Sequence, residues 1–133
     1  MILPILIASI TSVAFGFLWF SPFLFGKQWA TLSGLTPENM TEMKSKGMAK
    51  VYAINFLMEI ITAVVLFNIF KMLGTTSIIG SLEIALVLWL GFMLPIEVGQ
   101  TLWMKKPITL FLINSLHRLG SIVIIGVALM LLI

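Results

Sequence analysis

Four long apolar stretches, interrupted by short polar segments, dominate the pattern along the chain: Ile2 to Phe20, Val51 to Phe70, Ser81 to Trp103 and Ile108 to Leu132. At 1.5 Å of rise per residue each is long enough to cross about 30 Å of hydrocarbon as a helix. The punctuation between them agrees with this count. Ser21-Pro22 stops the first stretch, Gly74-Thr75-Thr76-Ser77 reads as a turn, and Lys105-Lys106-Pro107 reads as a tight basic hairpin. The pattern predicts an all-α membrane protein of four transmembrane helices, with residues 1–133 forming one membrane domain.

The first loop, 21–50, is the only substantial one. Within it Thr36-Pro37-Glu38 has the form of a helix start: a capping hydroxyl, a proline at the first helical position and an acid near the positive end of the helix dipole. We expect a short interfacial amphipathic helix there, with Met40, Met43 and Met48 toward lipid and Lys44, Lys46 and Lys50 toward headgroups.

Composition removes whole function classes. Of 133 residues, 60% are apolar and 10% charged, against roughly a quarter charged in soluble domains, so hydrocarbon must replace water over most of the surface. There is no cysteine, hence no disulfide framework and no thiolate metal site. The net charge of +3 is carried by loop lysines and reads as membrane topology, not as nucleic-acid binding. No basic residue precedes Lys27, so the first stretch is expected to be a retained helix and not a cleaved leader.

Lysine placement predicts orientation. The first and third loops hold Lys27, Lys44, Lys46, Lys50, Lys105 and Lys106, whereas the second has Lys71. By the positive-inside rule, loops 21–50 and 104–107 are expected in the cytoplasm of a multi-pass cell-membrane protein, with both termini outside. Trp19, Trp29 and Trp103, with Lys27, fall where interface anchors would sit on that side. Leu18-Trp19 with Pro22 and Leu102-Trp103 with Pro107 also hint at a repeat of two parallel hairpins.

The segment Trp19-Phe20-Ser21-Pro22-Phe23-Leu24-Phe25-Gly26-Lys27-Gln28-Trp29, followed by Ser33-Gly34, resembles the signature of domain-of-unknown-function family 1761, small bacterial integral membrane proteins. The last helix, with Asn114 and the stretch from Gly120 to Gly126, is similar as well. Phe20 stands where many of those proteins have tyrosine, which removes a hydroxyl from that position. The resemblance implies a four-span membrane fold and no particular activity.

Candidate chemistry lies in the ionisable groups within the spans, Glu59, Glu97, His117 and Arg118, because each costs roughly 2.5 to 3.5 kcal/mol near the bilayer centre even on insertion scales. Counted from the loops, Glu59 lies about 12 Å into its helix, Glu97 about 9 Å and Arg118 about 15 Å, all in the lysine-rich half. Helical side chains lean toward their N-terminus, so Glu97 and Arg118, on antiparallel neighbours joined by a hairpin, should meet. Stripes extend the set: Asn114, His117, Arg118 and Ser121 in the last helix; Tyr52, Asn55, Glu59 and Thr62 in the second; Gln100 beside Glu97 in the third. Pro95 frees the carbonyl of Gly91 and should kink that helix. Ala8, Ser12 and Gly16 form a small-residue ridge suited to close helix packing.

These groups point first to an oligomeric small-solute or ion transport protein, in which Arg118 would meet an anion and Glu59 a proton. The competing reading is a structural or accessory subunit whose buried charges fix helix packing or bind a partner. An enzyme lacks any supporting motif, no cofactor is expected, and a metal held by His117 and the two glutamates is weaker than a hydrogen-bonding role for that histidine. Glu83 is expected to be a solvated residue at the outer mouth. The lipid bilayer, a second copy of the chain and a small solute or ion are the partners implied.

Overall fold

The computed structural model describes residues 2–133. Among these residues the chain is helical apart from short connections, and four helical stretches are long and apolar enough to cross a membrane. They are α1 (Ile2–Trp19), α4 (Ala49–Leu73), a third stretch made of α5 (Ile78–Leu88), a π-helical turn (Trp89–Met93) and α6 (Leu94–Trp103), and α7 (Ile108–Leu132). The second span runs beyond the predicted 51–70 at both ends. The third starts three residues before Ser81, where the Ser77 hydroxyl caps it by accepting from the Gly80 amide at 3.0 Å.

Loop 21–50 holds two short helices where one was expected. The capped one is α3 (Pro37–Ser45), whose start is fixed by Thr36 accepting from the Asn39 amide at 3.1 Å, with proline at the first position. The other, α2 (Gly26–Leu32), follows a tight turn in which Phe25 donates to Trp19 O at 3.0 Å and Gly26 to Ser21 O at 3.0 Å. A Cβ at Gly26 would collide with the backbone at Phe20 and Ser21, so the turn requires glycine. Met48 was expected to face lipid; it stands instead at the N-cap of α4 and lines a cavity described below. Lys50 belongs to the first turn of α4.

Proline at position 95 explains the π turn. Its missing N–H leaves the i−4 ladder open, and the register slips by one residue, with Leu94 donating to Trp89 O, five positions back. The expected kink therefore takes the form of a π bulge. The extra residue also turns the Trp89 indole toward α7, where Nε1 donates to Ser115 O at 2.8 Å.

Helix α7 is the hub, packing against α1, α4, α5 and α6, and a third of its most apolar window is buried, against 11 to 17% in the other spans. The remaining surface is apolar and exposed, as a helix surrounded by lipid requires. The densest packing, of Ala8, Ala63, Leu66, Phe70, Ala85, Ile122, Ile125 and Leu129, lies at the end of the bundle opposite loops 21–50 and 104–107. Gly126 contributes to it by admitting Ser81 of α5 against its Cα.

Candidate functional site

Below that packed end, toward the lysine-rich loops, the interior becomes polar. Glu59 of α4 is half-buried and its Oε2 accepts from Ser12 Oγ of α1 at 2.8 Å and from Ser121 Oγ of α7 at 3.2 Å. The two serine oxygens are 2.5 Å apart. Three contacts thus join three oxygens, while the two hydroxyls supply two protons. No cationic side chain lies within ion-pair distance of Glu59 among the described residues, and its Oε1 accepts no hydrogen bond from the protein there.

The ridge predicted on α1 is what permits this approach. Ala8 and Ser12 are buried, and a Cβ built on Gly16 would sit 3.3 Å from His117 Nε2. Both α4 and α7 pack on this helix. His117 lies parallel to the Phe15 ring, with centroids 5.5 Å apart, and is also 4.8 Å from the Phe20 ring. Gly120, one turn further, leaves room for Phe15.

Arg118 points the other way. Its Nε donates to Glu97 Oε1 at 2.5 Å, so the predicted pair forms between α6 and α7. Glu97 is buried, whereas 56% of the Arg118 side chain is exposed. The two glutamates therefore have different surroundings, one with a guanidinium and one with two hydroxyls. Among the described residues, no three His, Asp or Glu side chains come close enough to hold a metal ion.

Two cavities meet at this level. A half-open cavity of about 470 Å³ runs between α1, α2 and α4, with Glu59 and His117 at its inner end and Trp29 and Met48 at its loop end. A second, of about 60 Å³, is lined by Glu59, His117, Arg118 and Ser121. Glu59 and His117 thus stand between the two.

Other predicted site residues fall differently. Asn55 lines the larger cavity. Asn114 is half-buried on α7 but lines neither cavity, and Gln100 is exposed and lines neither. Gln100 follows Glu97 by three residues, which rotates it by about 60° away from Arg118. Trp19 is more than an interface anchor: its indole donates to Ile113 O at 3.1 Å, tying α1 to α7. Trp103 is 89% exposed, so Trp19 and Trp103 have unlike surroundings, against the suggested hairpin repeat. Lys27 and Glu83 are exposed.

Residues 3–130 match the model of a family described as protein of unknown function, DUF1761. The chain belongs to this family. The match takes in all but the outermost residues of the four apolar helices and every site residue named above. No curated protein and no solved structure matches the chain.

Proposed function

We propose that this DUF1761 protein is an oligomeric membrane transport or permeation protein for a small solute or ion, with Glu59 as the group that exchanges a proton or a cation. The observation that carries this reading is a carboxylate with no cationic partner, set between two cavities in a membrane domain. Such a group is expensive in hydrocarbon, and intramembrane carboxylates of this kind commonly mark ion and proton pathways. The packing adds support, since the buried cluster that includes Ala63, Leu66, Ile122 and Ile125 lies between the cavity at Glu59 and a separate open space of about 360 Å³ at the far end, lined by Phe70, Lys71 and Met130. Access from one side at a time is what alternating access requires.

Arg118, expected from sequence to meet an anion, donates its Nε to Glu97 Oε1, and this reading therefore centres on Glu59. The same residue supports assembly. Ten residues into α7, about 15 Å along it, a guanidinium that is half-exposed at the mouth of the smaller cavity would be covered by a second copy. In orientation, the six lysines of loops 21–50 and 104–107 favour the cytoplasmic side for the larger cavity, with both termini outside.

The accessory-subunit reading rests on the Glu97–Arg118 pair, which satisfies itself and could serve helix registration alone. Liposome reconstitution separates the two. A proton or ion flux above that of protein-free liposomes supports transport; wild-type protein that is folded and oligomeric yet passes neither under any imposed gradient supports the accessory role.

A further inference from the structure

The larger cavity has a chemical character that its volume alone does not convey. About 470 Å³ lies within the range of roughly 300 to 1,000 Å³ usual for small-molecule sites. Four of its walls are aromatic rings, arranged as two pairs. Phe17 meets Tyr52 edge-on at 5.3 Å between α1 and α4, and Phe20 meets Trp29 at 5.4 Å between the end of α1 and α2. At the inner end sits Glu59, seven residues beyond Tyr52 and so about 10 Å deeper along α4. Neither lysine nor arginine lines this space. Arg118 lines the smaller cavity and is paired with Glu97, and Lys50, next to the lining residue Val51, is exposed.

Aromatic side chains can attract a cation through their ring faces, and an ionised carboxylate supplies a full negative charge in a medium that screens it weakly. Together they favour a cation with a hydrophobic surface, which loses little hydration on entry, over a small, strongly hydrated ion. An anion would be repelled by the uncompensated carboxylate, and a neutral solute would lack the attraction of charge for charge. Such a cation has no hydrogen to donate and would approach the free Oε1 of Glu59 by charge alone, while Oε2 stays with the two serines.

We propose that the half-open cavity lined by Phe17, Phe20, Trp29, Tyr52 and Glu59 binds a hydrophobic organic cation, of the quaternary ammonium or phosphonium class. This inference rests on the transport reading for its physiological meaning, but the binding it asserts is independent of flux.

The test is titration of the purified full-length protein in detergent with tetraethylammonium and with tetraphenylphosphonium, followed by calorimetry and by tryptophan fluorescence. Tetraphenylborate, similar in shape and opposite in charge, is the control. Saturable binding of at least one cation is expected, weakened about 30-fold or more by Glu59→Gln, which removes the charge and keeps an oxygen for the serines. Trp29→Leu and Tyr52→Leu should each weaken it roughly two- to fivefold. Glu83→Gln, which removes an exposed carboxylate at the opposite end of the bundle, should bind as the wild type does. If neither cation saturates, if the borate binds as well, or if Glu59→Gln leaves affinity unchanged in a folded protein, the proposal is overturned. Flux in liposomes without cation binding would overturn it while leaving transport standing. Binding without flux would uphold the site and remove the transport reading.

Discussion

Ser12 and Ser121, 109 residues apart in the chain, place their hydroxyl oxygens 2.5 Å from one another and share one carboxylate oxygen of Glu59. This contact joins α1 and α7 across the middle of the bundle, at the boundary between the buried apolar cluster and the cavity at Glu59.

Replacing Ser12 with alanine removes a donor from Glu59 and a partner from Ser121. A loss of about 1 to 3 kcal/mol is expected, toward the upper end where the carboxyl is ionised, since hydrogen bonds to charged groups are the stronger ones. Thermal unfolding in detergent checks it. The loss should shrink in a Glu59→Leu background, where no acceptor remains to be deprived.

For Glu97 and Arg118 the double-mutant cycle is the measurement. Removing one partner of a fully buried pair costs about 3 to 5 kcal/mol, and half-exposure of the guanidinium should bring these losses to the low end or below. Arg118→Gln should cost more than Glu97→Gln, because it strands a carboxylate that is 8% exposed, whereas the arginine can reach outward. The double variant is expected to lose less than the sum. Additive losses would mean that the pair carries no coupling.

At Gly16 even a single carbon meets His117 Nε2 at 3.3 Å. Gly16→Ala should be tolerated by a shift of the imidazole of a few tenths of an ångström, while Gly16→Leu should lower the unfolding temperature and fill the inner end of the larger cavity. Gly120→Leu should be at least as damaging, since a Cβ there falls 2.6 Å from the Phe15 ring. Equal melting temperatures for the leucine variants and the wild type would refute the close packing of α1 on α7.

Much of this was legible in the sequence because it depends on spacing within one helix or between neighbours in a hairpin. The four spans follow from apolar length, α3 from its Thr36-Pro37 start, and the Glu97–Arg118 pair from side-chain lean on antiparallel helices. Contacts between distant helices were not legible. Ser12 read as a small packing residue, although it is also a donor to a carboxylate 47 positions away. Helix α2 was missed since Phe25, at its N-cap, offers no side-chain cap. In the sequence Trp29 reads as an interface anchor and Phe20 only as a substituted tyrosine, and the fold of the turn at Gly26 turns both into cavity walls. Gln100 was grouped with Glu97 on a stripe too broad to distinguish the side facing α7 from the side facing away.

Orientation can be tested chemically, because the chain has no cysteine of its own. Single cysteines at Ser33 and at Ser77, on opposite sides of the bundle, are expected to differ in intact cells. Ser77→Cys should react with a membrane-impermeant thiol reagent and Ser33→Cys should not. The reverse pattern would invert the topology.

The role of Glu59 is tested most directly by proton flux into liposomes carrying a pH-sensitive dye, comparing wild type with Glu59→Gln at equal amounts of folded protein. The glutamine can still accept hydrogen bonds from Ser12 and Ser121 but neither carries a negative charge nor exchanges a proton. Flux in the wild type, reduced at least about tenfold in Glu59→Gln and retained in Glu97→Gln/Arg118→Gln, is the expected result. Equal flux in Glu59→Gln and wild type would contradict it.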